Sequence, residues 1–297
     1  RGGEGNDIIT VVAGDDNDNY IAPVDIGDSL NGGPGSDTIT IGDGLASLTG
    51  LVRGNEDNDT ITVANIDGGS IKGNSGDDTI TVGFAAGYGE AAGSPAAVEL
   101  TNGTVNGSSG DDTITISGDA TITDSVIRGN EDDDTITVAD GATAVGDVQI
   151  AGNAGDDTID STGLQGDATI RGGAGDDTLR VGNGQTVLGG LGADTFSIES
   201  AGGATIADFD RLNLNLNLDG EGAAEDCFCD DQIQIDGHKV FHTNYTYGVE
   251  RVDYTSASSW TGDIKVKAIA GADGTNGKTT VTLAATKTET LLAKAVA

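Results

Sequence analysis

The side chains of this chain best placed to do chemistry are carboxylates, and they recur at one position of a repeated phrase. The phrase is cleanest at Gly172-Gly173-Ala174-Gly175-Asp176-Asp177-Thr178-Leu179-Arg180. Variants begin at Gly2, Gly32, Gly54, Gly73, Gly107, Gly129, Gly152, Gly172 and Gly189. The sixth residue is aspartate every time: Asp7, Asp37, Asp59, Asp78, Asp112, Asp134, Asp157, Asp177 and Asp194. Glycines let a backbone turn tightly with φ > 0 and aim its carbonyls inward. A carboxylate at a fixed offset adds a charged oxygen, and several hard oxygens of both kinds around one point are what Ca²⁺ takes. The nine aspartates and the nine leading glycines are therefore the candidate metal ligands. Metals held between successive phrases would number roughly eight.

These ligands need a scaffold that stacks them. The eighth position is large and apolar (Ile9, Ile39, Ile61, Ile80, Ile114, Ile136, Ile159, Leu179, Phe196). It opens a strand whose side chains alternate inward and outward. A second apolar residue comes shortly before the glycines: Leu30, Val52, Ile71, Val105, Ile127, Ile150, Ile170 and Val187. The phrases start 30, 22, 19, 34, 22, 23, 20 and 17 residues apart, and the shortest spacings suit two half-turns per coil. One phrase per coil predicts metal loops along one edge and turns of variable length along the other. Insertions would fill the long steps at residues 13–29 and 83–99. Asn takes the second glycine's place at Asn55, Asn74, Asn130 and Asn153, and Ser does at Ser108. Left-handed backbone is further expected at Asp57 and Asp133.

The full phrase, Gly-Gly-x-Gly-x-Asp-x-U-x, matches the calcium-binding β-helix nonapeptide. The first two thirds of the chain thus resembles the repeat-in-toxin (RTX) calcium β-roll family of secreted and surface bacterial proteins. The resemblance implies an all-β fold, a calcium-bound parallel β-roll or β-solenoid. That family usually loads metal on both edges, whereas the phrase here serves one. Ile206-Ala207-Asp208-Phe209 and Asp231-Gln232-Ile233-Gln234-Ile235 look like the strands that close such rolls. The expected organisation is a roll over 1–200, closing strands with an insertion over 201–236, and a small C-terminal β module over 237–297. Alternating runs at 239–242, 245–254, 264–269 and 279–283 predict that module's strands.

Composition agrees. Aromatics make up 4% of the chain and glycines number 49, too little bulk for a conventional core but enough for stacked coils. The net charge is −35; residues 1–236 hold 7 Lys/Arg against 44 Asp/Glu, and residues 237–297 hold 7 against 5. That balance argues against nucleic acid as a partner and for divalent cations. No apolar run is long enough to span a membrane as a helix. The sequence opens inside a phrase, as expected of a processed product or part of a longer protein.

Enzyme chemistry finds little material. His238 and His242 lack the Glu of a zinc-protease helix, and two histidines leave little for a Ser-His-Asp triad. Cys227 and Cys229 could form a disulfide or stay as thiols. The chain reads as a non-enzymatic, calcium-dependent extracellular structural protein. It would self-assemble at the cell surface as a filament or S-layer-like sheet, with its own copies and a surface glycan or layer as partners. The alternative implied by the resemblance is a non-catalytic secretion and folding segment of a larger type I-secreted enzyme or adhesin. A third reading, an ice-binding solenoid, comes from the recurring Thr-Ile-Thr at 38–40, 60–62, 79–81, 113–115 and 135–137.

Overall fold

The computed structural model describes residues 1–11, 25–26, 29–42, 47–83, 98–182, 184–192, 194–198, 204–209, 232–235, 238–246, 249–254, 263–268 and 279–284. Every regular element among them is a β-strand. Most of the insertions expected at 13–29 and 83–99, all of the one expected at 211–230, and the Cys227–Cys229 pair lie outside the described residues.

The chain winds as a parallel β-solenoid. The strands that follow each aspartate stack in one sheet: Ile8–Val11, Thr38–Ile41, Thr60–Val63, Thr79–Val82, Thr113–Ile116, Thr135–Val138, Thr158–Asp160, Thr178–Val181 and Thr195–Ile198. The strands that run into the glycines stack in a second, from Ser29–Pro34 through Leu51–Glu56 and Ser70–Ser75 to Thr186–Leu191 and Thr205–Phe209. Register is kept phrase by phrase, so Ile61 pairs with Ile39 and Ile80 and Val52 pairs with Leu30 and Ile71. Identical positions therefore form files along the whole stack.

A third sheet departs from the sequence expectation. The edge predicted to hold only turns carries six short parallel strands: Asp25–Ile26, Ser47–Leu48, Asn65–Asp67, Glu99–Thr101, Thr121–Thr123 and Thr143–Val145. Each of the last five buries one apolar residue, namely Leu48, Ile66, Leu100, Ile122 and Ala144. A coil such as residues 54–72 thus buries Ile61, Val63, Ile66 and Ile71 from three sides. Fully burying an aliphatic side chain stabilises by about 1.5–3 kcal/mol, so the core grows coil by coil without aromatic bulk. Past Thr143–Val145 the coils shorten and the third sheet shrinks to one bridge, Thr143 to Gln165. Buried Gln185 closes that end. Its Nε2 donates to the carbonyls of Ser161 (2.8 Å) and Leu164 (3.2 Å).

The outer face of the first sheet carries two threonine files. One runs Thr38, Thr60, Thr79, Thr113, Thr135, Thr158, with each residue paired to the next. The predicted C-terminal strands are present as His238–Thr246, Val249–Tyr254, Asp263–Ala268 and Thr279–Ala284. They extend the roll's own sheets: Gln232–Ile235 pairs parallel with Thr195–Ile198 and antiparallel with His238–Thr246. Thr279–Ala284 pairs antiparallel with Thr205–Phe209.

Candidate metal centre

The leading glycine is the fourth of six residues in a strand of the second sheet, as Gly54 is in Leu51–Glu56, and the aspartate five residues later precedes a strand of the first. Between them the chain turns a corner, and left-handed residues make the turn. The second position is left-handed at Asn55 (φ 101°), Ser108 (φ 103°) and Asn153 (φ 92°). Asn is among the residues that tolerate this conformation best, which accounts for its substitutions there. The fourth position is left-handed at Asp57 (φ 71°) and at Asp132 (φ 75°). The expectation for Asp133 is therefore corrected: counted from Gly129, Asp132 holds the fourth position, and Asp133 is the fifth.

The leading glycine serves a different need from the one expected. Gly54, Gly73, Gly107, Gly129, Gly152, Gly172 and Gly189 are not left-handed. Instead, a Cβ on any of them would overlap Oδ2 of the aspartate five residues on, for example Asp78 at Gly73 and Asp157 at Gly152. Gly2 stands in the same relation to Asp7, and Gly32 to Asp37. The glycine file is space reserved for the carboxylate file. Gly73→Ala should accordingly lower stability by about 1–3 kcal/mol, the usual range for overpacking. Asn74→Gly, at a left-handed position, should be nearly neutral. Denaturant melts of the two variants in the same buffer check the difference.

The aspartates form a buried column. Asp37, Asp59, Asp78, Asp112, Asp134, Asp157, Asp177 and Asp194 are each at most 2% exposed, and Asp7 in the first coil is partly exposed. Each amide donates to Oδ1 of the next coil's aspartate: Asp7 to Asp37 (2.7 Å), Asp37 to Asp59 (2.7 Å), Asp59 to Asp78 (2.8 Å) and Asp78 to Asp112 (2.8 Å). The series continues from Asp112 to Asp134, Asp134 to Asp157 and Asp157 to Asp177 (all 2.9 Å), then Asp177 to Asp194 (3.0 Å). Eight such bonds tie nine coils.

The second oxygen has no such partner. Oδ2 is buried without a hydrogen bond in Asp37, Asp59, Asp78, Asp112, Asp134, Asp157 and Asp177. Desolvation dominates the electrostatics and raises Asp134 and Asp177 to about 8, Asp78 to about 7, and Asp59, Asp112 and Asp157 to about 6. The amide of the preceding coil pulls the other way, and neighbouring carboxylates add to the rise. No three Asp, Glu, His or Cys side chains converge on one point among the described residues. A cation held here would take one or two carboxylates and complete its shell with carbonyl oxygens, which suits Ca²⁺ better than Zn²⁺. The leading-glycine carbonyl of the next coil is at hand: a Cβ on Gly73 would meet Gly107 O, and one on Gly172 would meet Gly189 O, each at 2.6 Å.

A second, exposed ladder escaped the sequence reading. The amides of Asp111, Asp133, Asp156 and Asp176 donate to Oδ1 of Asp77, Asp111, Asp133 and Asp156, at 3.1, 3.1, 2.7 and 2.7 Å. Its bonds run toward the preceding coil, opposite to the buried column. The recurring Asp-Asp doublet was its signal.

No protein-family model matches the chain, and neither a curated protein nor a solved structure is similar to it. The likeness to RTX rolls rests on the repeated phrase alone.

Proposed function

We propose that this chain is a calcium-dependent, non-catalytic structural solenoid that works outside the cell and self-assembles into a surface filament or layer. The observation that supports calcium is the seven buried, unpartnered Oδ2 atoms. An unsatisfied buried acceptor costs about 1–3 kcal/mol, more when charged. Seven together rival the whole stability of a typical domain, about 5–15 kcal/mol. Something must neutralise the column, and a divalent cation per coil interface does so at neutral pH. Asp37, Asp59, Asp78, Asp112, Asp134, Asp157 and Asp177 would hold it with the leading glycines' carbonyls. The metal supplies charge neutralisation and cross-bracing between coils.

The extracellular assignment follows from affinity. With so few carboxylates per ion, the sites belong with weak extracellular modules, whose dissociation constants are about 10⁻⁴–10⁻³ M. Only outside the cell is free calcium high enough to fill them. Equilibrium dialysis against Ca²⁺ at pH 7.5 should show about eight ions bound, one for each interface between nine phrases. Half-saturation should lie in the submillimolar to millimolar range. Binding of no more than one or two ions would sink the reading.

A further inference from the structure

The sequence's strong acidity conceals a basic file. Residues 1–200 contain only six Lys or Arg, and five of them occupy the position just before the leading glycine: Arg1, Arg53, Lys72, Arg128 and Arg171. The second sheet brings that position into one line. Arg53 pairs with Lys72, Lys72 with Asn106, Asn106 with Arg128, Arg128 with Ala151 and Ala151 with Arg171. The sixth cation, Arg180, lies on the first sheet and pairs with Asp160 at 3.2 Å. Among the described residues Arg53, Lys72, Arg128 and Arg171 form no ion pair. Arg171 Nη1 donates only to Gln149 Oε1, at 3.2 Å. Like charges directly opposed on neighbouring strands, as at Arg53 and Lys72, are destabilising. Four unpaired cations in one line face outward on a chain of net charge −35.

Across the corner, the fifth-position carboxylates Asp77, Asp111, Asp133, Asp156 and Asp176 form an exposed line, and three of those coils also carry Lys72, Arg128 or Arg171. The acidic line repeats once per coil, at the spacing of neighbouring strands, about 4.7–4.9 Å, and the basic file keeps the same spacing with gaps at Asn106 and Ala151. Every copy of this chain thus carries two lines of opposite charge laid out on one coil spacing. We propose that the basic file docks on the exposed Asp line of a second copy, joining two solenoids side by side. This rests on the reading of the chain as self-assembling and names one contact within that assembly, the one that pairs two copies.

The arrangement also fixes the direction of the pair. A two-fold axis parallel to the solenoid swaps the two lines across the contact, so each basic file faces the partner's acidic line. A two-fold axis across the solenoid would set basic on basic. The pair is therefore parallel, isologous and no longer than one copy. Opposed charges of this kind set register and partner choice and make the contact sensitive to salt.

Analytical ultracentrifugation of the full chain in calcium tests this directly. A dimer is expected at low salt, with its dissociation constant rising at least about tenfold between about 0.05 and 0.5 M NaCl. The fourfold variant Arg53→Glu, Lys72→Glu, Arg128→Glu, Arg171→Glu should keep its β circular dichroism and weaken association at least about a hundredfold. Small-angle scattering should give the dimer the monomer's length. A folded variant that still pairs, or a dimer of doubled length, overturns this surface and leaves self-assembly standing. A wild-type chain that stays monomeric overturns both. A monomer that binds a polyuronate through the same four residues assigns the file to an anionic polymer and overturns the docking.

Discussion

In chelator, the chain should hold its β structure at pH 5 and lose it by pH 8. Six column aspartates are raised above the ordinary 3.8 in the folded state: Asp59, Asp112 and Asp157 to about 6, Asp78 to about 7, Asp134 and Asp177 to about 8. A raised carboxyl binds its proton more tightly folded than unfolded, so folding is favoured while the group is protonated. That contribution is complete below about pH 3.8 and is lost as pH climbs through 6 to 8. It is the reverse of the usual salt-bridged aspartate, because here burial without a counter-charge outweighs the amide bond each Oδ1 accepts. Calcium inverts the trend, since it binds the ionised column and must displace the protons. Far-ultraviolet circular dichroism across pH 4–9, with EGTA and with millimolar Ca²⁺, should give two opposed curves: structure lost with rising pH in chelator and kept in calcium. A metal-free chain whose β signal is level from pH 5 to 8 would mean that Oδ2 carries no uncompensated charge.

Much of this arrangement was legible because it repeats. The aspartate column, the Ile file after it and the apolar file before the glycines each sit at a constant offset, so stacking coils aligns them whatever the loop lengths. The third sheet lacked that constancy. Its strands are two or three residues long. Strands of that length, most with a single apolar side chain, are too short for alternation to stand out, and they lie at varying distances from the phrase. The role of the leading glycine was hidden for another reason. A glycine that makes room for a side chain and one that turns the backbone look alike in sequence, and only the position of Asp78 Oδ2 beside Gly73 separates them. The basic file was masked by summation, since five cations disappear in a total of −35. The C-terminal strands were readable from alternation, but their partners lie far away in the chain, as with Thr279–Ala284 against Thr205–Phe209.

Replacing Asp134 by Asn should change stability in opposite directions with and without calcium. Oδ1 of Asp134 accepts the amide of Asp112 at 2.9 Å, and its own amide donates to Asp157 at 2.9 Å. Asn keeps that oxygen and that backbone, and it puts a neutral NH₂ where the unpartnered Oδ2 stood. In chelator the variant folds without taking up a proton there, as Asp134, raised to about 8, must do at pH 6.5. The pH at which β structure is lost should therefore move up, and at pH 6.5 the gain should be about 1–3 kcal/mol, on the scale of one unsatisfied buried group. In calcium the same change removes a ligand from the middle of the stack. Coils communicate through nearest-neighbour interfaces, so the thermal transition should fall and separate into two, one for the coils on each side. Asp134→Ala supplies the contrast. It removes the charge, but it also leaves the Asp112 amide without its acceptor and a hole beside Gly129, so it should lose stability in both media. Paired melts of the three proteins, with EGTA at pH 6.5 and with calcium at pH 7.5, decide the matter. If Asp134→Asn is no more stable than Asp134→Ala in chelator, the cost lies in packing or hydrogen bonding, and the buried Oδ2 charge is not what calcium relieves.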